Sequence, residues 1–384
     1  MSWTRTEALG CLRRATALVA VAAVGVTAAA CGDSGSSTSS GSSSGKATAD
    51  VAAAKEGIKP FSGHPSPFPV DQPLRKPLPK GKRFAYIQCA PPVCALYGQL
   101  LRGPIEALGG KLVVFKAGSS ASGVQTAAAS ALATKPDALM LPAISASSLA
   151  KALDGFNQAK IPVVATSIPR GAEVGVDAQI NGAEAFDEFG KVMADWVIAK
   201  KGASANTAFY TTPELDFTEP LQKAFAKEYN KLCPACKLHV LALPAATIGT
   251  TAPTRVVSDL QSHPDTNTAV FGSGEAATGL PAALKAAGIS VTTIGLGPPP
   301  SFIEDVKEGK ITAAFANDIP TLAWTQVDIA ARLINKEPLL DSEIKGTSPY
   351  EFLESKDITF DASKGFSGYP DYAQRFRKLW HLDG

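Results

Sequence analysis

From Arg83 onward the chain alternates short, wholly apolar runs with stretches of helical period. "FAYIQC", "KLVVF", "ALML", "IPVVA" and "VGVD" (174–177) predict strands. Between them Leu96, Leu100, Leu101, Ile105 and Leu108 fall on one face of a helix, "GVQTAAASALA" predicts a second and "SSLAKALDGFNQA" a third. A similar series starts after Asn181: helix "EAFDEFGKVMADWVIAK", strand "TAFYT", helix "EPLQKAFAKEYNKL" and strand "HVLAL". "TRVVSDLQSH", "AVFG", "ATGLPAALKAAG", "VTTIGLG", "FIEDVKEG" and "ITAAFAND" continue the alternation. Strands that are apolar throughout suit parallel sheets covered on both faces, and right-handed βαβ units in series follow. The expected fold class is α/β, with two similar doubly wound parallel-sheet lobes. Ligand sites are expected where loops leave the carboxyl ends of the strands, between the lobes if those ends face each other.

The N-terminal fifth reads differently. Arg13 and Arg14 precede a sixteen-residue apolar run ending at Ala30, the pattern of an export signal. The run is too short and alanine-rich to span a bilayer well. Cys31 follows three alanines, resembles the lipidated cysteine of a bacterial lipobox and leads into a Gly/Ser tether. Plain secretion with cleavage after Ala30 is the alternative. "ATADVAAAKEGI" suggests a short helix. Seven prolines between Pro60 and Pro79 then favour an extended segment, laid on the folded body by Phe61 and Phe68. The formal charge of +2 falls to zero once residues 1–30 are removed, which gives no reason to expect nucleic acid or acidic lipid as a partner.

Four cysteines remain in the mature body: Cys89, Cys94, Cys233 and Cys236. Outside the cytoplasm, close pairs of cysteines favour disulfides over a metal site. Three pairings are open, with the two local ones expected. Cys233-Pro-Ala-Cys236 has thioredoxin-type spacing but follows a helical pattern instead of opening one, so a structural staple is expected over a redox site. Neither metal nor cofactor is expected. His64, His239, His263 and His381 are scattered along the chain, and there is no G-x-S-x-G elbow between a strand and a helix, no H-E-x-x-H and no P-loop, which argues against an enzyme.

The stretch from "GPIEALGGKLVVF" to "IPVVA", with Gln125, Asp137-Ala138-Leu139 and Pro142 in order, resembles the N-lobe of type I periplasmic binding proteins of the ribose/galactose-binding kind. "AVFGSGEAATGLPAALKAAG", "TTIGLG", "EGKITAAFANDIP", "FLESKDIT" and "YAQRFRKLW" resemble later elements of the same family, so the likeness covers roughly residues 82–384. It implies a three-crossover hinge closing two lobes on one small-molecule ligand. It also implies a lipoprotein at the outer face of the cytoplasmic membrane, monomeric, serving ABC permease subunits; a sensor presenting solute to a membrane receptor or sensor kinase is the alternative. The layout would be signal peptide 1–30, tether 31–48, Pro-rich segment 49–81, N-lobe 82–178 plus 319–345, and C-lobe 179–318 plus 346–384.

Several positions that carry sugar-binding side chains in the family hold other residues here: Ala117, Ala121, Ser167, Ile168, Gly274-Glu275 and Gly297, while Arg170 falls two residues late. A ligand with fewer hydroxyls or more apolar surface than a hexose is therefore expected. N-lobe candidates for contact are Cys94, Tyr97, Ser119, Ser120, Ser145, Ser167 and Arg170, with packing an equal alternative for Tyr97 and a solvated loop charge for Arg170. At the first crossover stand Asp177, Gln179 and Asn181, which could instead hold the hinge turn. C-lobe candidates are Thr212, Glu214, Asp216, Phe217, Glu275, Gly297 and Asp318, with a core role open for Phe217 and a helix-dipole role for Glu275. A Cys89–Cys94 bond around Pro91-Pro92 would make a rigid pocket rim.

Overall fold

A computed structural model describes residues 48–382; the signal segment, Cys31 and nearly all of the Gly/Ser tether lie outside the described residues. Helix α1 (Val51–Ile58) comes first, opened by the Asp50 carboxylate, which accepts a hydrogen bond from the Ala53 N–H. The first sheet contains β1 (Arg83–Cys89), β2 (Lys111–Gly118), β3 (Ala138–Leu141), β4 (Val163–Thr166) and β5 (Ala178–Ile180), all parallel in the order β2-β1-β3-β4-β5. Strands β3 and β4 are buried at every position, as their unbroken apolar runs require. Helices α2 (Pro92–Leu100), α3 (Arg102–Ala107), α4 (Ala121–Ala133), α5 (Ala146–Leu149) and α6 (Asp154–Gln158) belong to this lobe.

The second lobe repeats the plan. Its strands β6 (Asn206–Thr211), β7 (Lys237–Ala242), β8 (Thr268–Phe271), β9 (Thr292–Leu296), β10 (Ala313–Asn317) and β11 (Tyr350–Leu353) lie in the order β11-β10-β9-β8-β6-β7, with only β11 antiparallel. Its helices are α7 (Ala183–Lys201), α8 (Thr218–Leu232), α9 (Ala252–Ser262), α10 (Leu280–Ala287) and α11 (Pro300–Lys307). The chain then returns through α12 (Ile319–Asn335) and α13 (Asp341–Ile344) to the first lobe, crosses to β11 and ends in α14 (Tyr372–Leu379). Each sheet reverses its strand order beside its first strand, the position where doubly wound sheets open a crevice.

Three crossovers join the lobes and are bound to one another. Asn181 takes a left-handed φ of 56°, a conformation asparagine tolerates, and its side chain exchanges hydrogen bonds with Ser348 at 2.8–3.0 Å. The Asp318 N–H donates to the Pro349 carbonyl, and its carboxylate accepts from Thr321, Ser367 and Gly368. Burial pushes the Asp318 carboxyl up to about 6 despite these donors. Gly346 packs so tightly that a Cβ there would lie 2.3 Å from the Gln179 carbonyl oxygen.

Four sequence expectations change. The strand expected at 174–177 is replaced by a 3₁₀ turn, Gly171–Val174, ended by left-handed Gly175, and the strand starts at Ala178. Asp177 there accepts from the Val163 N–H instead of pairing as a strand residue. "SSLAKALDGFNQA" forms two short helices, because the Gln125 amide takes the Ser148 and Ala150 carbonyls and Lys151 adopts a φ of 66°. The face spanning Leu96 to Leu108 divides between α2 and α3. Finally, α14, placed with the C-lobe by sequence, packs on the N-lobe core: Phe376 and Trp380 are fully buried beside Trp324 of α12, with the Trp324 and Trp380 rings stacked at 5.1 Å. Its amphipathic face matches that apolar surface, and β11 alone joins the second sheet.

The proline-rich segment is a strap across both lobes. Ala54 of α1 is buried against the C-lobe core and Phe61 meets Phe315 edge-on at 5.3 Å. Farther along, Val70, Leu74 and Leu78 enter the N-lobe core, and the Leu74 N–H donates to the Leu379 carbonyl. Arg332 secures this arrangement: its guanidinium donates to Asp328 (2.7 Å) and to the Gln72 carbonyl (2.6 Å), while Glu343 and Glu337 lie 3.3 and 4.0 Å away. Glu337 in turn accepts from the Arg75 and Lys76 N–H groups. Burial and the nearby Asp328 push the Glu343 carboxyl well up. Arg332→Ala would leave the buried Asp328 carboxylate without its cation, so it is expected to destabilise the protein by about 3–5 kcal/mol in equilibrium urea unfolding; an unchanged unfolding midpoint would contradict this role.

Candidate functional site

The carboxyl ends of both sheets border one partly open cavity of about 110 Å³ between the lobes. From the first lobe come Cys94 and Tyr97 on α2, Pro142 after β3, and Thr166 and Ser167 at the end of β4. From the second come Phe217 before α8, Ser273 after β8, Gly297 after β9 and Asn317 at the end of β10. Phe186 of α7, Leu322 of α12 and Tyr350 of β11 complete much of the apolar wall. Among the described residues, none of the side chains lining this cavity is charged.

The polar groups of the wall are held firmly. The Tyr97 hydroxyl donates to Gln326 Oε1 at 2.7 Å, and the Gln326 amide donates to the carbonyls of Leu141, at the end of β3, and Val164, within β4. Burial raises the Tyr97 hydroxyl well above its ordinary value, so it stays protonated. The Phe217 ring stacks on Phe186 with centroids 4.8 Å apart. Asn317 Oδ1 is buried without a hydrogen-bond partner among the described residues.

Two C-lobe carboxylates cross the cleft to backbone N–H groups at the starts of N-lobe helices. Glu275 Oε1 accepts from the Val93 N–H of α2 at 2.9 Å, and Asp216 Oδ2 accepts from the Ala146 N–H of α5 at 2.7 Å. Neither helix has a side-chain cap of its own: Pro91 offers none, and the Ser145 hydroxyl instead pairs with Ser147. The first N–H groups of a helix need acceptors and carry the positive end of its dipole. The second lobe therefore caps helices of the first. Glu275 Oε2 is buried without a partner, and burial raises this carboxyl's pKa against the opposing Val93 N–H.

Of the seventeen sequence candidates for ligand contact, Cys94, Tyr97, Ser167, Phe217 and Gly297 line the cavity. The others have different surroundings. Ser120 caps α4 through the Gly123 N–H, while Ser119 is exposed. Arg170 is exposed 4.0 Å from Glu173. Asp177, Asn181 and Asp318 hold backbone at or near the crossovers, as described above. Gln179 and Thr212 each bury an unpartnered oxygen outside the cavity wall. Glu214 accepts from the Ala245 N–H. Val93, Thr166, Phe186, Asn317 and Tyr350 were not anticipated, being hidden within helical and strand patterns; Asn317, the one amide ending a strand, was the only signal.

Both cysteine pairs are bonded, Cys89 to Cys94 and Cys233 to Cys236, with Cα atoms 5.6 and 5.4 Å apart. The Tyr86 hydroxyl donates to the Cys94 carbonyl at 2.7 Å and fixes the first ring at the cavity rim. The Cys233–Cys236 ring follows the carboxyl end of α8. Histidines scattered in sequence are partly gathered by the fold: His239 and His263 stack 4.2 Å apart and both approach the carboxylate of Asp259, which also accepts from the Tyr210 hydroxyl. That group lies on β7 and α9, and none of its residues lines the cavity.

The profile of the family described as "Periplasmic binding protein domain" matches residues 103–338. No curated protein matches the chain significantly. Among solved structures, GanP, a glucose-galactose binding protein from Geobacillus stearothermophilus, is similar over 73% of this chain and 100% of its own, at 15% identity and a TM-score of 0.62. A periplasmic solute-binding protein of an ABC transporter from Actinobacillus succinogenes, with bound D-allose, is similar over 72% of this chain and 98% of its own (16% identity, TM-score 0.61). The fructose-binding periplasmic domain of a hybrid two-component system is similar over 78% and 99% (16% identity, TM-score 0.62). At these identities the likeness establishes the fold.

The Glu275 contact has a pH signature. Its carboxyl is raised in the closed arrangement and returns to the ordinary range when an open cleft exposes it to water, so closure takes up a proton. The closed fraction, read by distance measurements between labels on the two lobes, is expected to rise as pH falls from neutral towards the ordinary carboxylate range. Glu275→Gln should abolish that component and retain closure, since an amide oxygen still accepts from Val93. An unchanged pH response in the variant would contradict the assignment.

Proposed function

Because the chain belongs to the periplasmic binding protein family, we propose that it is an extracytoplasmic protein that captures an uncharged small molecule, sugar-like or less hydroxylated, between its lobes and delivers it to the permease subunits of an ABC importer. The observation that carries this reading is the uncharged cavity at the carboxyl ends of both sheets, bridged by Glu275 and Asp216. Two lobes linked by three short crossovers can rotate about them, and ligand captured on one face is excluded from water by the other.

In this reading Cys31 carries a lipid that holds the monomer at the outer face of the cytoplasmic membrane, and the Gly/Ser tether gives it reach to the permease. The oxidising setting keeps Cys89–Cys94 and Cys233–Cys236 bonded. The chain acts by binding, without cofactor, metal or turnover. A second reading, a sensor that presents the solute to a membrane receptor, is favoured by the likeness to a fructose-binding domain of a two-component system; its binding step would be identical and its output different.

The test is mass spectrometry of solute released on unfolding the protein purified from its native membrane. One uncharged small molecule at near-stoichiometric yield is expected, and reconstituted permease should hydrolyse ATP faster when the loaded protein is added. Retained solute without any such stimulation would favour the sensor. Conversion of the solute to a product by the purified protein would contradict both.

A further inference from the structure

The carboxylates with which a sugar site would grip hydroxyls make other bonds in this cleft, and the one unpartnered oxygen of Glu275, Oε2, is buried off the cavity wall. Glu275 and Asp216 accept from the N–H groups of Val93 and Ala146. Asp318 accepts from Thr321, Ser367 and Gly368, and Glu214 from Ala245. The guanidinium of Arg170 is exposed beside Glu173 and absent from the cavity wall. The wall offers a solute only the hydroxyls of Thr166, Ser167 and Ser273, the amide of Asn317, and tyrosines committed or buried among aromatic neighbours.

These facts restrict the ligand by charge, polarity and size. A buried ion without a counter-charge costs several kcal/mol, which excludes carboxylates, phosphates and ammonium compounds. Each buried hydroxyl left unpaired costs roughly 1–3 kcal/mol, so a molecule with a hydroxyl on nearly every carbon is disfavoured. An apolar protein cavity of about 150 Å³ admits benzene, and this one is of similar scale at about 110 Å³. Asn317 borders the cavity, and its Oδ1, buried and unpartnered, accepts one hydrogen-bond donor once the amide turns towards a solute. The Phe217 ring, stacked on Phe186, presents an apolar surface suited to a flat or ring-shaped face.

We propose that the cleft is specific for an uncharged, mostly apolar molecule about the size of a single six-membered ring, carrying one hydroxyl or N–H that donates to Asn317 and resting its apolar face on Phe217. This deepens the solute-capture reading of the same cleft and rests on it.

The experiment uses the mature chain stripped of endogenous solute by unfolding and refolding, with cyclohexanol, benzyl alcohol, glucose, ribose and benzoate as probes in calorimetry and thermal unfolding. The two ring alcohols are expected to bind and raise the unfolding midpoint, with glucose, ribose and benzoate at least tenfold weaker. Asn317→Leu should weaken both alcohols by up to about tenfold, the loss of one buried hydrogen bond. Should Asn317→Leu fold poorly, Phe217→Leu provides an independent readout, weakening benzyl alcohol more than cyclohexanol through loss of the aromatic partner. Tighter binding of glucose, ribose or benzoate, no binding of either alcohol, or alcohol affinities untouched by both substitutions would overturn the ligand class. Sugar or benzoate binding would leave solute capture standing. Failure of every probe, together with a natively purified protein that carries no solute, would instead remove solute capture itself.

Discussion

The closed arrangement depends on an exchange between the lobes: carboxylates of one satisfy the bare helix N-termini of the other. Val93 and Ala146 present backbone N–H groups that their own segments do not cap, and Glu275 and Asp216 supply the acceptors. Such bonds satisfy N–H groups that the first turns of these helices leave open. They exist only when the lobes meet, so they define the closed geometry and the cavity between the lobes. They also keep two acidic side chains off the cavity wall, which is uncharged.

Around that exchange, the rest of the molecule supplies alignment. The crossovers at Asn181, Asp318 and Ser348 are bonded to each other and so move as one hinge. Gln326 of α12 ties Tyr97 to β3 and β4, placing the floor of the cavity on the rigid sheet. The Cys89–Cys94 ring and the Tyr86 hydroxyl fix the start of α2, and with it the Val93 N–H that Glu275 must find. The strap of residues 48–79 contacts both cores, α1 on one and Leu74 on the other, and so spans the lobes as a further constraint on their separation.

Much of this was legible in the residues. Apolar runs without alternation gave both parallel sheets, and local cysteine spacing pointed to the two bonded pairs. The strand at 174–177 failed because Gly175 permits a left-handed turn that periodicity does not register. The position of α14 was missed because an amphipathic helix declares that it has an apolar face, without naming the core that face joins. Glu275 and Asp216 were recognisable as cleft carboxylates, yet their partners are backbone N–H groups, which every residue but proline possesses and no side-chain pattern reveals. Phe186 and Tyr350 looked like ordinary core residues of a helix and a strand, and became wall residues only when the two lobes were brought together.

The most direct measurement is a crystal structure of the protein with its co-purified solute bound. The account predicts a solute touching only uncharged groups, with Asn317 accepting its hydrogen bond and Phe217 against its apolar face, while Glu275 and Asp216 remain on the N–H groups of Val93 and Ala146. A structure in which either carboxylate has turned from its helix to hold ligand hydroxyls would contradict it.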